Sequence, residues 1–166
     1  MASKDSSFDV VSEVDMQEVD NAYQQTTKEL VQRYDLKDSH ATIELDKAKG
    51  VVTVQAPSEF VASQVIDVFQ TRLVRRKVDL SSVSFGGPQP ASAGTVRVIG
   101  TVVQGIEQEL AKKISKDVRD AKFKVKVTVE GDKLKVSSPS KDALQAVIAF
   151  LREQDYGQPL QFTNYR

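Results

Sequence analysis

Ala56-Pro57-Ser58-Glu59 and Ser138-Pro139-Ser140-Lys141 stand 82 residues apart, each at the end of an alternating stretch and the start of an apolar stripe. Counting on from the two prolines keeps the stripes in step: Val65-Ile66 falls opposite Val147-Ile148, and Phe69 opposite Leu151. This period exceeds the roughly 20 to 50 residues of a solenoid unit. It reads as a duplicated domain, with residues 1–85 and 94–166 each running strand, helix, strand, strand, helix, strand.

The surrounding residues fill in that order. Ser7 to Val14 is rich in β-branched residues, and Asp15 with Glu18 three positions later makes an N-cap signature. The helix it opens should run to about Tyr34 with Met16, Val19, Tyr23, Leu30 and Val31 inward. Ala41 to Leu45 and Val51 to Gln55 read as a hairpin through Lys47-Ala48-Lys49-Gly50, where glycine suits a positive φ. Ser58 caps a helix to about Arg75, and Val83 to Phe85 closes the first half. Residues 86–94 have linker composition, because their glycines and prolines favour neither a ladder nor a helix.

In the second half Val96 to Val103 is a strand, and Ile106, Leu110, Ile114 and Val118 recur every four residues. Phe123 to Val129 and Lys133 to Ser137 form a hairpin around Glu130-Gly131-Asp132. Ser140 caps the last helix, with Leu144, Val147, Ile148 and Leu151 inward, and Leu160 to Phe162 closes the pattern. The fold class expected is α+β, two ferredoxin-like domains, each a four-stranded antiparallel sheet with both helices on one face. The opposite face is left for a partner.

Composition narrows the function. Cysteine is absent, which removes disulfides and thiolate chemistry and fits a reducing cytoplasm. Residues 1–10 hold no signal-type apolar core, and no run approaches the roughly 18 apolar residues of a membrane span. A cytoplasmic protein with no membrane partner is expected. Net charge is zero, yet residues 1–93 carry 10 Lys/Arg against 14 Asp/Glu and residues 94–166 carry 13 against 9. The split points to a phosphate-facing second half, or to two oppositely charged halves that attract one another.

Alternation shows where those cations go. In residues 122–129 the apolar set faces the helices, so Lys124, Lys126 and Thr128 face away. The same logic turns Leu134 and Val136 inward and Lys133 and Lys135 outward, with Arg97 a candidate neighbour. Clustered ammonium groups suit a phosphate-bearing partner, although lysines also keep an exposed strand soluble. In the first half the cations gather at helix ends, Arg33 and Lys37 after the first helix and Arg75 in the second. There they also complement the helix dipole.

Other chemistries find no support. The strands GVVTVQ and DKLKVS offer none of the aromatics on which an RNA recognition motif stacks bases. His40 is the single histidine and reads as a loop residue, no triphosphate-binding glycine loop occurs, and carboxylates are scattered. No catalytic residue, metal ligand or cofactor is expected. Arg152-Glu153-Gln154-Asp155 has the Arg-x-x-Asp spacing of some cyclic di-GMP sites, where arginine grips a phosphate or a guanine edge.

SFDVVSEVDMQEVDNA at 7–22, RYDLKD at 33–38, residues 104–136 and LQAVIAFLREQDYGQPLQFTNYR at 144–166 together resemble the YajQ family of small bacterial proteins. Where that family's pattern has glycine, after RYDLK and after Arg75-Arg76, this chain has Asp38 and Lys77. The resemblance implies exchanged first strands: 7–14 would complete the second sheet and 96–103 the first. The domains would then be 15–103, enclosing the 86–94 linker, and 1–14 plus 104–166. It also implies a non-enzymatic nucleotide-binding protein, a cyclic di-GMP receptor signalling through a protein partner such as a transcription regulator. GTP is an alternative ligand, transfer-RNA-like RNA held through its phosphates is the second reading, and a nucleotide-free interaction scaffold the third.

Overall fold

Asp15 turns the chain into its first helix, its carboxylate accepting from the backbone N–H groups of Gln17 and Glu18 at 3.0 and 3.4 Å. Ser58 and Ser140 do the same for the second and fourth helices, each hydroxyl accepting at 3.2 Å from the N–H three residues on. Each such cap satisfies a donor that the helix leaves orphaned. The structure, a computed structural model, describes residues 5–166. The first four residues of the segment 1–14 lie outside the described part.

The elements run β1 (Ser6–Val11), α1 (Met16–Gln32), β2 (Thr42–Asp46), β3 (Val51–Ala56), α2 (Glu59–Arg75), β4 (Val83–Phe85) and β5 (Gln89–Pro90). Then follow β6 (Val96–Val102), α3 (Gln108–Asp120), β7 (Lys126–Glu130), β8 (Lys133–Ser138), α4 (Lys141–Glu153) and β9 (Gln161–Thr163). The architecture is α+β, four helices on two sheets whose strand pairs are all antiparallel. Contacts divide the chain into two compact units, Val14–Val103 and Gln104–Arg166 together with the residues up to Glu13.

In the unit Val14–Val103 the sheet order is β2-β3-β6-β4, with β5 also paired to β6. Its core joins Val19, Ala22 and Leu30 of α1 and Val65, Phe69 and Leu73 of α2 to Val52, Val54 and Val98 of the sheet. In the other unit the order is β7-β8-β1-β9. There Phe8 and Val10 of β1 pack with Leu134 and Val136 of β8, Ile114 and Val118 of α3, and Val147 and Leu151 of α4.

Four details depart from the sequence reading. Val31 is 70% exposed. The buried stripe of α1 is Val19, Ala22, Thr26 and Leu30, stepping by three and four, and the next residue turns about 100° away. Residues 86–94 are folded rather than a loose tether: Gln89 and Pro90 pair with Arg97 and Val96, and Ala91 donates to the Thr95 carbonyl at 2.8 Å. Pro90 fits because β5 is an edge strand, where a missing N–H costs little. The third is that β7 starts at Lys126, since the Lys124 carbonyl accepts from the Ser138 hydroxyl at 2.9 Å. Val129, expected inward, is instead among the exposed large apolar residues.

Lys77 has φ 62°, a left-handed conformation that favours glycine. It follows the C-cap of α2, where the Val78 N–H reaches back to the Leu73 carbonyl at 2.9 Å and the Lys77 N–H to Val74 at 3.0 Å. That is a Schellman closure, which normally places glycine at this position. Lys77→Gly should therefore stabilise the fold by about 1 kcal/mol. A raised urea midpoint with an unchanged slope is the expected readout, and an unmoved or lowered midpoint would contradict it.

Candidate functional site

The sheet β7-β8-β1-β9 puts Phe8, Val10, Val127, Leu134 and Val136 on its helix side, so the alternate residues form the other face. Register aligns them in rows. Lys126 stands opposite Ser137, which stands opposite Ser7. Arg166 continues this row, because Ser7 and Arg166 exchange backbone hydrogen bonds of 3.1 and 2.9 Å. The next row is Thr128, Lys135, Asp9 and Thr163.

Asp9 governs the electrostatics of this face. It is only 5% exposed, and its Oδ2 accepts from Lys133 Nζ at 3.2 Å and from Asn164 Nδ2 at 3.0 Å. Burial by itself raises the pKa, but these two bonds and the charges of Lys133 and Arg166 outweigh it and hold the carboxyl below its ordinary 3.8. Lys133 is thereby committed to a partner within the sheet. Lys126 and Lys135 form no ion pair among the described residues. Lys124 is exposed just before β7.

The other residues expected to bind are spread elsewhere. Arg97 lies on β6, opposite Gln55 and Gln89, in the sheet that the lysines do not share. Alternation gave its face correctly but could not choose its sheet. Arg33 is engaged by Asp35 at 2.8 Å and by Glu29 at 3.9 Å. Lys37 sits 5.4 Å from the centre of the Tyr34 ring. Arg75 is the exposed last residue of α2. Arg152 of α4 lies 5.5 Å from the centre of the Phe162 ring, while Asp155 accepts from the Gly157 N–H at 2.9 Å. The Arg-x-x-Asp spacing thus makes no joint grip.

Arg33 also borders a groove of about 430 Å³ with Lys28, Glu29 and Arg72. Arg72 directs Nε and Nη2 at one oxygen of Glu29, at 3.0 and 2.8 Å, so much of the groove's charge is compensated. Among the described residues no three or more of His, Cys, Asp and Glu gather as a metal site, and no helix is long and apolar enough to cross a membrane.

The charge asymmetry between halves disappears when counted by structural unit. Residues 14–103 carry 10 Lys/Arg against 11 Asp/Glu, and residues 1–13 with 104–166 carry 13 against 12. Asp5, Asp9 and Glu13 belong with the lysine-bearing unit, while Arg97 belongs with the other. Sequence reasoning also missed Asn164 and Arg166. Asn164 has φ 56°, a local kink beyond β9 that no alternation rule anticipates.

Fold and face together define a small α+β protein with a lysine-rich sheet face. The chain belongs to the family of YajQ-like nucleotide-binding proteins, which it matches over residues 6–166. A relative named nucleotide-binding protein from Chloroherpeton thalassium is 44% identical over 160 residues, 96% of this chain and 97% of the relative. One of the same description from Magnetococcus marinus is 48% identical, covering 96% and 98%. Another, from Desulfitobacterium hafniense, is 46% identical, covering 99% of both chains. None of these names denotes an enzyme.

Because the folded pKa of Asp9 is depressed, its contribution to stability is present above its ordinary 3.8 and is lost as pH falls through the lower folded value. Asp9→Asn should lower the urea midpoint near neutral pH and flatten its decline below about pH 4. An acid limb with the same steepness as the parent protein's would exclude Asp9 as its source.

Proposed function

We propose that the protein is a non-enzymatic cytoplasmic receptor for cyclic di-GMP, which holds the ligand's phosphates on its lysine face and signals through a protein partner such as a transcription regulator. The observation that carries this reading is one row and its neighbour: Lys126, Lys135 and Arg166 share a sheet face, and the ion pair that Asp9 forms there is with Lys133. Nucleotide phosphates need converging cations that are not already paired. The names of the relatives point to the same ligand class.

The scaffold belongs to the same reading: two ferredoxin-like domains with exchanged first strands. Support comes from β1, which precedes α1 in sequence yet pairs with β8 and β9, and from β6, which precedes α3 yet pairs with β3 and β4. Signalling then requires the ligand to bind one conformation more tightly than another.

Calorimetry with cyclic di-GMP, GTP and transfer RNA over a salt series is the test. Cyclic di-GMP should bind with a shallow salt dependence, since it offers only two phosphates, and Lys126→Glu with Lys135→Glu should weaken it at least tenfold, about 1.4 kcal/mol. Arg97→Glu and Arg75→Glu should leave it unchanged. Steep salt dependence with transfer RNA alone would favour RNA bound through many phosphates. No binding at low salt would leave a nucleotide-free scaffold.

A further inference from the structure

The helix side of the same sheet holds a cleft of about 280 Å³ between the start of β1, the first turns of α4 and the residues that follow β9. Its floor is Phe8, fully buried, with Leu144 and Ile148. One wall is Tyr165, which is 58% exposed, with its ring centre 6.2 Å from that of Phe8. Lys141, Gln145 and Arg166 supply the polar part of the lining. A half-open aromatic over an apolar floor, with cations at its rim, matches a planar ring carrying an anion.

We infer that this cleft takes the nucleoside of a nucleotide, with its base against Tyr165 and its phosphate at Lys141. The inference rests on the nucleotide-binding reading and adds the place of the base. Cations alone cannot distinguish a nucleotide from inorganic phosphate, and the lysine face carries no aromatic ring, whereas base stacking is tolerant of sequence and needs one. Size sets the ligand class. At about 280 Å³ the cleft lies at the lower edge of the roughly 300 to 1,000 Å³ of ligand pockets, which limits it to one nucleoside and excludes two.

Register connects the cleft to the lysines. Arg166 lines it and also ends the row Lys126, Ser137, Ser7. Gln145, with both a donor and an acceptor on its amide, is placed to meet a base edge. The nucleoside phosphate has two sources, a free mononucleotide or one half of a cyclic dinucleotide.

The test titrates the full chain at low salt with GMP, guanosine and cyclic di-GMP by calorimetry. Gln145→Trp, at an exposed position of α4, should fill the cleft and weaken GMP at least about tenfold. Lys141→Glu, also exposed, should weaken GMP about tenfold and guanosine less than about twofold, because only GMP has a phosphate. Unchanged circular dichroism and urea midpoints certify both variants as folded. Competition between GMP and cyclic di-GMP places half of the dinucleotide in the cleft; GMP binding without competition assigns a free mononucleotide, and either upholds the site. If parent protein binds GMP or cyclic di-GMP and both variants retain full affinity while Lys126→Glu loses it, the cleft is wrong and the sheet face stands. If the parent protein binds neither, both readings fall.

Discussion

The double pairing of β1 is the constraint on which its sheet depends. β1 lies between β8 and β9, with five register pairs to the first and three to the second, and no other strand joins those two. Its burial reflects this position: all but its first residue are buried, including Ser7 and Asp9 on the side away from the helices. Closing contacts across more than a hundred residues costs entropy that grows only logarithmically with the loop, so the ladder and the core around Phe8 and Val10 can offset it. β6 has the matching position between β3 and β4.

Carrying β1 into this sheet also carries a carboxylate into a field of lysines. A buried charge is tolerated only with partners, and Asp9 has two, Lys133 and Asn164. The effect on the face is a division of labour. Lys133 is drawn back toward the strand, and mutual repulsion among the lysines is reduced near Asp9, while Lys126, in the other row, forms no ion pair among the described residues. Removing Asp9 would thus loosen the sheet and also leave its lysines less ordered.

Most of the fold was legible because period and capping agree with each other. Asp15, Ser58 and Ser140 cap helices as their spacing implies, and the alternation in residues 133–138 gives the right inward set, Leu134 and Val136. What failed is of a different kind. Val31 was assigned by apolarity where the helical angle decides, and residues 86–94 by composition where edge pairing decides. The candidate site was half legible. Facing of Lys124, Lys126, Lys133 and Lys135 follows from a period of two, but membership of Arg97 in the other sheet depends on pairing between distant strands. Arg166 depends on a backbone kink at Asn164, and the Asp9 contact on both.

The vanished charge asymmetry shows why local geometry outweighs net charge here. Each unit is within one charge of neutrality, so net charge alone draws an anion to neither. At physiological salt, interactions are screened beyond about 8 Å, and neighbouring strands are about 4.8 Å apart. An anion on the sheet therefore feels the strands on either side of it and the residues two positions away along the strand more than the far end of its own row. The Thr128 row holds Lys135 but also Asp9, whose ionised carboxylate repels an anion there. The Lys126 row has hydroxyls at Ser137 and Ser7 and no acidic side chain. An anion at Lys126 and one at Lys135 therefore meet different surroundings, since a serine stands across the strand spacing from the first and the Asp9 carboxylate across the same spacing from the second.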